Sequence, residues 1–156
     1  MTDSIVPAGQ ETGLQVIDSL SAHEFALELD GETITGILRV TGFFPFKLDV
    51  KTTTTLKLMQ EPFKVVKMVQ RSPNAPFNRW LRETVAAKAD IVRPRRTLAL
   101  VAVDDGTEIR RWTINGAWIS EVAYSDFDTG SADLVEETLT IHFDSVEETW
   151  PVAPGE

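Results

Sequence analysis

The sequence predicts a mainly β protein of the α+β class: an antiparallel, barrel-like sheet of about seven or eight strands with one flanking α-helix. Three observations lead to this prediction. Asp30-Gly31 and Asp105-Gly106 each separate two apolar runs, which is typical of a tight β-hairpin. Only residues 76–89 have a helical period. The connections between most segments are short, which favours antiparallel neighbours.

Composition narrows the classes of protein that fit. A chain of 156 residues with 42% hydrophobic and 25% charged residues is typical of one globular domain. No apolar run approaches the roughly 20 residues of a membrane span, and the start "MTDSIVPAGQETG" lacks the features of a secretory signal. The absence of cysteine excludes disulfides and thiolate metal sites, and fits a cytoplasmic protein. A net charge of -9 argues against nucleic-acid binding.

The first half of the chain alternates in the manner of strands. "HEFALELDGETITGILRV" has Phe25, Leu27 and Leu29 on one face before the turn, and the alternation returns after it. "TGFFPFKLDV" continues the pattern, with Phe44, Phe46, Leu48 and Val50 on one face. Pro45 cannot donate a ladder hydrogen bond, so it indicates an edge or a bulge. We expect residues 1–20 to form a loose arm ahead of a β domain at residues 21–148.

The predicted helix begins after "SPNAP", where Asn74 is a candidate cap and Pro76 suits the first turn. Six residues are predicted to lie along one side of this helix, four of them apolar: Phe77, Trp80, Leu81, Thr84, Val85 and Lys88. Pro94 disfavours helix in the residue before it, so we expect the helix to stop before "IVRPRR".

The second half contains the hairpin "LVAVDDGTEIRRWTINGAW" and a last strand, "LVEETLTIHF". In that strand Leu139, Ile141 and Phe143 share one face, and His142 lies on the other. Residues 149–156 are predicted to be a C-terminal tail.

A search for catalytic or metal-binding residues is largely negative. There is no phosphate loop and no nucleophile elbow. His23 and His142 fit as ordinary strand residues, although a Ser-His-Asp arrangement assembled in space stays open. Glu136 and Glu137 point to opposite faces of a strand, so they cannot share a substrate. We therefore expect no catalytic site, no cofactor and no metal.

One acidic loop has a spacing similar to that of a calcium loop: it contains Asp126, Asp128, Asp133 and Glu136. An EF-hand needs glycine at its sixth position, and Ser131 stands there. We interpret the loop as a solvated turn.

The tryptophans allow two interpretations. Trp80, Trp112 and Trp118 are expected to pack against each other in the core, or alternatively to form a surface that stacks sugars or bases. Trp150 lies in the predicted tail, where we expect it to stay exposed until a partner covers it.

Charge is divided between two regions of the chain. Residues 71–96 hold seven bases and two acids, a net charge of +5, whereas residues 112–156 hold ten acids and no base. The two regions are either separately solvated faces or the two sides of a head-to-tail contact between copies. The basic run Arg93-Pro94-Arg95-Arg96 fits an intermolecular ion-pair patch.

The order of these elements resembles the tail tube proteins of contractile phages and of phage-like contractile injection systems. The resemblance lies in "HEFALELDGETITGILRVTGF", "PFNRWLRETVAAK", "RRTLALVAVDDGTEIRRWTINGAWISEV" and "DLVEETLTIHFDSVE". From the first to the last of them, the match extends over about residues 23–148. The positions that match are Asp105-Gly106, Trp112, Asn115, Ala117-Trp118 and Glu137-Thr138-Leu139, with Gly116 inserted.

The resemblance implies a structural protein without catalysis. Six copies would form a ring, the rings would stack head-to-tail into a hollow inner tube, and hairpins of neighbouring copies would pair. Sheath and baseplate proteins would be the other partners, and cargo or DNA would pass through an acidic lumen without specific binding or membrane insertion. The chain would be made in the cytoplasm and assembled into a virion tail or injection particle. We expect interface residues at Phe43, Phe44, Phe46, Arg93, Arg95 and Arg96.

One departure leaves a second hypothesis. The long, Gly-rich loop usual in that family is compressed here to "KTTTTLKLMQEP". Because that loop often contacts the neighbouring ring, the chain could instead be a tube-like baseplate or tube-end adaptor. A small-ligand-binding β-barrel with a Trp-lined pocket is the alternative from another class, and a hydrolase is a third.

Overall fold

The computed structural model describes residues 20–21, 23–50 and 56–151. Within them the chain forms ten strands and one helix. The elements in chain order are β1 (Phe25–Leu29), β2 (Glu32–Ile34), β3 (Ile37–Thr41), β4 (Leu48–Asp49), β5 (Lys57–Leu58), β6 (Phe63–Met68), α1 (Pro76–Ala86), β7 (Arg96–Asp104), β8 (Thr107–Tyr124), β9 (Glu136–His142) and β10 (Ser145–Thr149). The predicted fold class is confirmed. The predicted arm, residues 1–20, lies outside the described residues apart from Leu20.

One antiparallel sheet of eight strands forms the body. Its order is β2-β1-β7-β8-β9-β6-β3, and β10 pairs with β8 beside this path. The two ends of the path, β2 and β3, are consecutive in the chain, and only Thr35 and Gly36 separate them. Since two residues span only a few ångströms, the sheet has to curl until its ends approach each other. The result is the barrel-like arrangement that the sequence predicts.

Both predicted hairpin turns are present. The φ angles are 50° and 85° at Asp30 and Gly31, and 50° and 80° at Asp105 and Gly106. Positive φ at both central residues is the signature of a type I′ turn, whose twist matches that of the flanking strands. These turns join β1 to β2 and β7 to β8.

The strand β8 is 18 residues long and serves two parts of the sheet. Up to Ala117 it pairs with β7, and its residues 111–115 also pair with β10, whereas from Trp118 onward it pairs with β9. Gly116 lies at the change of partner and has φ +67°. The bend at this glycine lets one strand belong to both walls of the barrel.

The helix α1 packs on the barrel interior. Phe77 and Trp80 are 1% and 0% exposed, their ring centroids lie 5.6 Å apart, and Trp80 Nε1 donates a 3.0 Å hydrogen bond to the Pro94 carbonyl. They join apolar side chains from the strands in one core: Leu27, Leu29, Ile34, Phe63, Val65, Leu98, Ile114, Ala117, Ile119, Leu139, Ile141 and Phe143.

Several details of the predicted helix need correction. Pro76 is in the first turn as expected, but Ala75 rather than Asn74 is the N-cap residue and makes no side-chain cap bond. The helix ends at Ala86, because Lys88 has φ 49° and leaves the helical conformation. Val85 is 63% exposed rather than turned to the core.

The predicted strand through residues 43–50 is wrong for most of its length. The strand β3 ends at Thr41, and residues 43–47 are not strand. Only Leu48–Asp49 is extended, and it pairs with Lys57–Leu58 in a separate two-stranded sheet. Alternation was present in the sequence, but the larger sheet offers no neighbouring strand to pair with it.

Packing of three tryptophans against each other is also wrong. Trp80 is in the core, whereas Trp112 and Trp118 are half-buried elsewhere. Trp112 makes an edge contact with Phe43 and donates to Glu148, and Trp118 stacks on His142 at 4.5 Å. Trp150 is 55% exposed as expected, and the Arg110 guanidinium lies 3.6 Å from its ring centroid.

Candidate assembly surfaces

A segment outside the main sheet carries large apolar side chains that are exposed to solvent. We call residues 42–50 and 56–58 the β4–β5 arm. Its limbs are held together by the Leu48–Leu58 pair and by a 2.8 Å bond from Met59 N–H to the Lys47 carbonyl. Five side chains of the arm are 45–70% exposed: Phe44, Phe46, Val50, Leu56 and Leu58. Several exposed apolar side chains in one short segment mark a candidate interaction surface.

The three predicted aromatic interface residues separate into two environments. Phe43 is half-buried at the root of the arm, where its ring lies 5.3 Å from Phe63 and 6.2 Å from Trp112. Phe44 is 45% exposed and carries the Lys47 ammonium 5.1 Å from its ring. Phe46 is 70% exposed. Phe43 therefore anchors the arm, while Phe44 and Phe46 present apolar surface outward.

The three predicted arginines all have partners within the chain. Arg93 caps the end of α1 by donating to the carbonyls of Thr84, Lys88 and Asp90. Arg95 pairs with Asp144 at 2.8 Å, with both side chains about half exposed or more. Arg96 bonds the Glu83 carboxylate and lies 3.5 Å from that of Asp30.

The sheet leaves strand edges open among the described residues. The strand β3 pairs only with β6, and β10 pairs only with β8. The strand β10 displays Glu147 and Glu148. An open edge with unpaired backbone groups can accept a strand from another copy.

An ion pair that sequence reasoning missed lies inside the barrel. Lys67 Nζ is 2.6 Å from Glu137 Oε1, and these side chains are 0% and 4% exposed. Tyr124 OH donates a 2.9 Å hydrogen bond to the other carboxylate oxygen. Burial, followed by the hydrogen bond to Glu137 and its charge, raises the pKa of Tyr124. Lys67 continues the alternation of Phe63 and Val65, and this was the available signal.

A second missed network crosses the outer face of the sheet. Arg111 on β8 reaches over β7 and holds the Glu28 carboxylate with two bonds of 2.7 and 3.1 Å. It also bonds Glu108, and this hydrogen bond lowers the pKa of that carboxyl. Both carboxylates raise the pKa of Arg111. Because Arg111 pairs in register with Val101, its side chain shields that buried residue.

The acidic loop after β8 closes on itself. Asp128 accepts the Gly130 N–H at 2.9 Å, and Ser131 accepts the Asp133 N–H at 3.1 Å. Across residues 20–21, 23–50 and 56–151, no group of three His, Asp or Glu side chains could hold a metal ion. In the same ranges, no helix has the length and apolar character needed to cross a membrane.

Glu136 and Glu137 do point to opposite faces, as predicted. Glu136 makes an exposed 3.1 Å pair with Arg39, whereas Glu137 is inside. His142 also lies on the face opposite the core, where its Nε2 is 3.0 Å from Ser120 Oγ.

Comparison with known families decides the identification. Residues 51–147 match the family described as the T4-like virus tail tube protein gp19. The chain belongs to this tail tube protein family. It is accordingly a tube-type structural subunit, and the predicted resemblance is confirmed. No curated protein matches the chain.

Solved structures share the fold of this tail tube protein at low sequence identity. A chain in the anti-feeding prophage cap, the tube terminating cap, has a TM-score of 0.70 at 14% identity and covers 95% of this chain and 96% of its own. A chain in the PVC sheath/tube terminator has a TM-score of 0.67 at 14% identity, and the match covers 86% of this chain and 99% of that one. Hcp1 from Flavobacterium johnsoniae has a TM-score of 0.54 at 12% identity, and the match covers 81% of this chain and 95% of that one.

Proposed function

We propose that this tail tube protein is the inner tube subunit of a contractile phage tail or phage-like injection system. Six copies form a ring, and rings stack into a hollow conduit. The observation that carries the proposal is the β4–β5 arm. Phe46 and Val50 are 70% and 69% exposed, and exposure of such apolar side chains gives no stability to a protein that remains monomeric. Burying each would contribute about 1.5–3 kcal/mol.

The open edge of β10 supports the same proposal. Its backbone groups on one side have no partner strand in the described part of the chain. A neighbouring copy that pairs there would satisfy these groups and cover the edge. Repetition around a ring leaves no edge open, which removes the risk of uncontrolled pairing.

The uneven charge supports stacking. Residues 71–96 carry a net +5, and residues 112–156 carry ten acids. A heterologous contact between unlike faces does not close on itself, so it builds a filament.

A tube-end or baseplate adaptor is the second candidate function. It is supported by likeness to chains in cap and terminator structures, with TM-scores of 0.70 and 0.67, beside 0.65 for a chain in the PVC sheath-tube complex. An adaptor would form a ring but stop stacking. In either role, sheath and baseplate proteins are the proposed partners, and cargo or DNA crosses the lumen.

Sedimentation velocity and negative-stain microscopy over a concentration series test both candidates. The wild type is expected to form six-fold rings that stack into tubes, whereas rings that never stack favour the adaptor. Phe46→Ser is expected to lose rings. Phe127→Ser is the matched control, because Phe127 is similarly exposed, at 77%, but lies outside the arm. A wild type that stays monomeric throughout, or equal assembly by both variants, contradicts the role given to the arm.

A further inference from the structure

An asparagine is followed by a glycine once in the chain, at Asn115-Gly116 in the bend of β8. In such a pair the backbone nitrogen of the second residue can attack the side-chain amide carbon of the first, because glycine has no Cβ to hinder the approach. The other asparagines, Asn74 and Asn78, are followed by an alanine and an arginine. The bend therefore holds the asparagine of this chain that is most prone to ring closure.

The fold activates the attacking nitrogen. The Asn115 carbonyl accepts the Asp144 N–H at 2.9 Å. The Gly116 nitrogen attacks as its anion, whose charge is shared with this carbonyl oxygen, so a donor at the oxygen stabilises the anion. Arg95 Nη1 holds the Asp144 carboxylate at 2.8 Å and the Gly116 carbonyl at 3.0 Å. The activating contact is therefore fastened to the bend by an ion pair.

The strand β10 restrains the carbon that would be attacked. Asn115 Nδ2 donates to Ser145 Oγ at 3.3 Å and to Glu147 Oε1 at 3.4 Å, so both bonds are long. Four of the five residues of β10 are exposed, and among the described residues the strand pairs only with β8. An edge strand with so little buried surface opens at a lower free energy than the core. Opening from Ser145 onward frees the Asn115 amide, whereas Asp144 stays held by Arg95.

We propose that Asn115 is a deamidation site and that β10 controls its rate. When β10 opens, a bond forms between the Gly116 nitrogen and Asn115 Cγ. The bond from Cγ to Nδ2 breaks, and ammonia leaves with the proton of the Gly116 N–H. Water then opens the cyclic imide at either carbonyl, which leaves aspartate or isoaspartate at position 115. No oxidant, metal or cofactor takes part in these steps.

The product works against the return of β10. The contact between Asn115 Nδ2 and the Glu147 carboxylate joins a donor to an acceptor, and after the reaction two carboxylates face each other there. Isoaspartate also adds one atom to the backbone of β8 at the point where the strand changes partner. Deamidation therefore loosens β10 irreversibly.

Peptide mapping by mass spectrometry at mildly alkaline pH tests the site, with Asn74 and Asn78 as internal references. Residue 115 is expected to lose ammonia fastest and to give both aspartate and isoaspartate. Ser145→Ala/Glu147→Ala, which removes both restraints, is expected to react about tenfold faster than wild type. Thr149→Ala, a change on the same strand, is the control and should react at the wild-type rate. Conversion no faster than at Asn74, aspartate without isoaspartate, or equal rates in the two variants would overturn the proposal.

Urea unfolding tests the effect on β10. Asn115→Asp copies the charge of the product and is expected to lower the unfolding midpoint by about 0.5 M. Adding Glu147→Gln should recover part of this loss, because it removes the facing charge. Asn74→Asp is the matched control, since it places the same charge on an exposed loop. If Asn115→Asp is as stable as Asn74→Asp, the product does not loosen β10 and this part of the proposal is wrong.

Discussion

Lys67 and Glu137 are opposite charges on neighbouring strands, and both point into the barrel. They are register partners on β6 and β9, and Tyr124 on β8 is the register partner of Glu137 on its other side. A ladder of three strands therefore brings an ammonium, a carboxylate and a phenol together. Lys67 also donates to the Met68 carbonyl at 3.1 Å, and Phe77 lies 5.9 Å from its ammonium. Each charge is tolerated because the other is present.

Removal of one member of this pair is expected to be costly. Lys67→Met leaves the Glu137 carboxylate buried without a cation, and we expect a loss of about 3–5 kcal/mol in the free energy of unfolding. Lys64→Met is the control, since Lys64 is on the same strand but exposed. The double variant Lys67→Met/Glu137→Leu should recover most of the loss. Urea denaturation measures all three. If Lys67→Met is as stable as Lys64→Met, the Lys67–Glu137 pair contributes nothing to the free energy of unfolding.

Tyr124 offers a direct pH test, because it is the only tyrosine in the chain. Its pKa in the folded protein is raised by partial burial and then by the hydrogen bond to Glu137 and its charge, although 48% of the residue stays exposed. A group with a raised pKa contributes stability that is fully present below its unfolded pKa, about 10. That contribution is lost as the pH rises through the folded pKa. Tyrosinate absorbance should therefore titrate later in the native protein than in denaturant. Above pH 10, Tyr124→Phe should lose less stability than wild type. Identical titrations in both states would contradict this.

At the scale of elements, the bend in β8 depends on one contact between strands. The Gly116 carbonyl accepts from Arg95 at 3.0 Å, and the same guanidinium holds Asp144 at 2.8 Å. Asp144, between β9 and β10, also donates its N–H to the Asn115 carbonyl at 2.9 Å. This cluster fixes where β8 changes partner, so it sets how the two walls of the barrel meet.

Gly116→Ala is expected to destabilise the protein by about 1–3 kcal/mol. Its φ of +67° disfavours any side chain, and a Cβ there would overlap the Asp144 carboxylate. Gly130→Ala is the control, because the nearest atom to its Cβ would be Asp128 Oδ1 at 3.4 Å. Thermal unfolding compares the two variants. A Gly116→Ala protein as stable as Gly130→Ala would mean that the bend adapts freely.

What could be predicted from the sequence was local. The Asp-Gly turns depend on backbone preferences of two adjacent residues, and α1 depends on a period within 14 residues of sequence. The strand predicted through residues 43–50 failed because alternation does not reveal whether a partner strand exists. The Lys67–Glu137 pair joins residues 70 positions apart, so only the register of β6 against β9 reveals it. The exposure of Phe46 likewise depends on the tertiary fold.

At the scale of the whole molecule, the proposed tube combines an apolar contact with a charged one. In this proposal the β4–β5 arm supplies the apolar contact. In the charged contact, exposed bases of residues 71–96 face acidic residues of the next copy. These two contributions respond differently to salt, because screening weakens exposed ion pairs while apolar burial persists. The stacking step, which uses the charged contact, should therefore be the salt-sensitive step of assembly.

Raising NaCl from about 0.1 M to 1 M shortens the Debye length from about 10 Å to about 3 Å. We expect stacked tubes to separate into rings over this range, while the rings survive. Arg79→Glu, which reverses an exposed base in the basic region, should weaken stacking already at low salt. Lys64→Glu is the matched control, since Lys64 is exposed outside that region. Tube lengths measured by electron microscopy give the readout. If tube length is unchanged both at 1 M NaCl and in Arg79→Glu, apolar contacts alone hold the stacked rings together. The basic and acidic regions would then be two separately solvated faces that make no contact between copies.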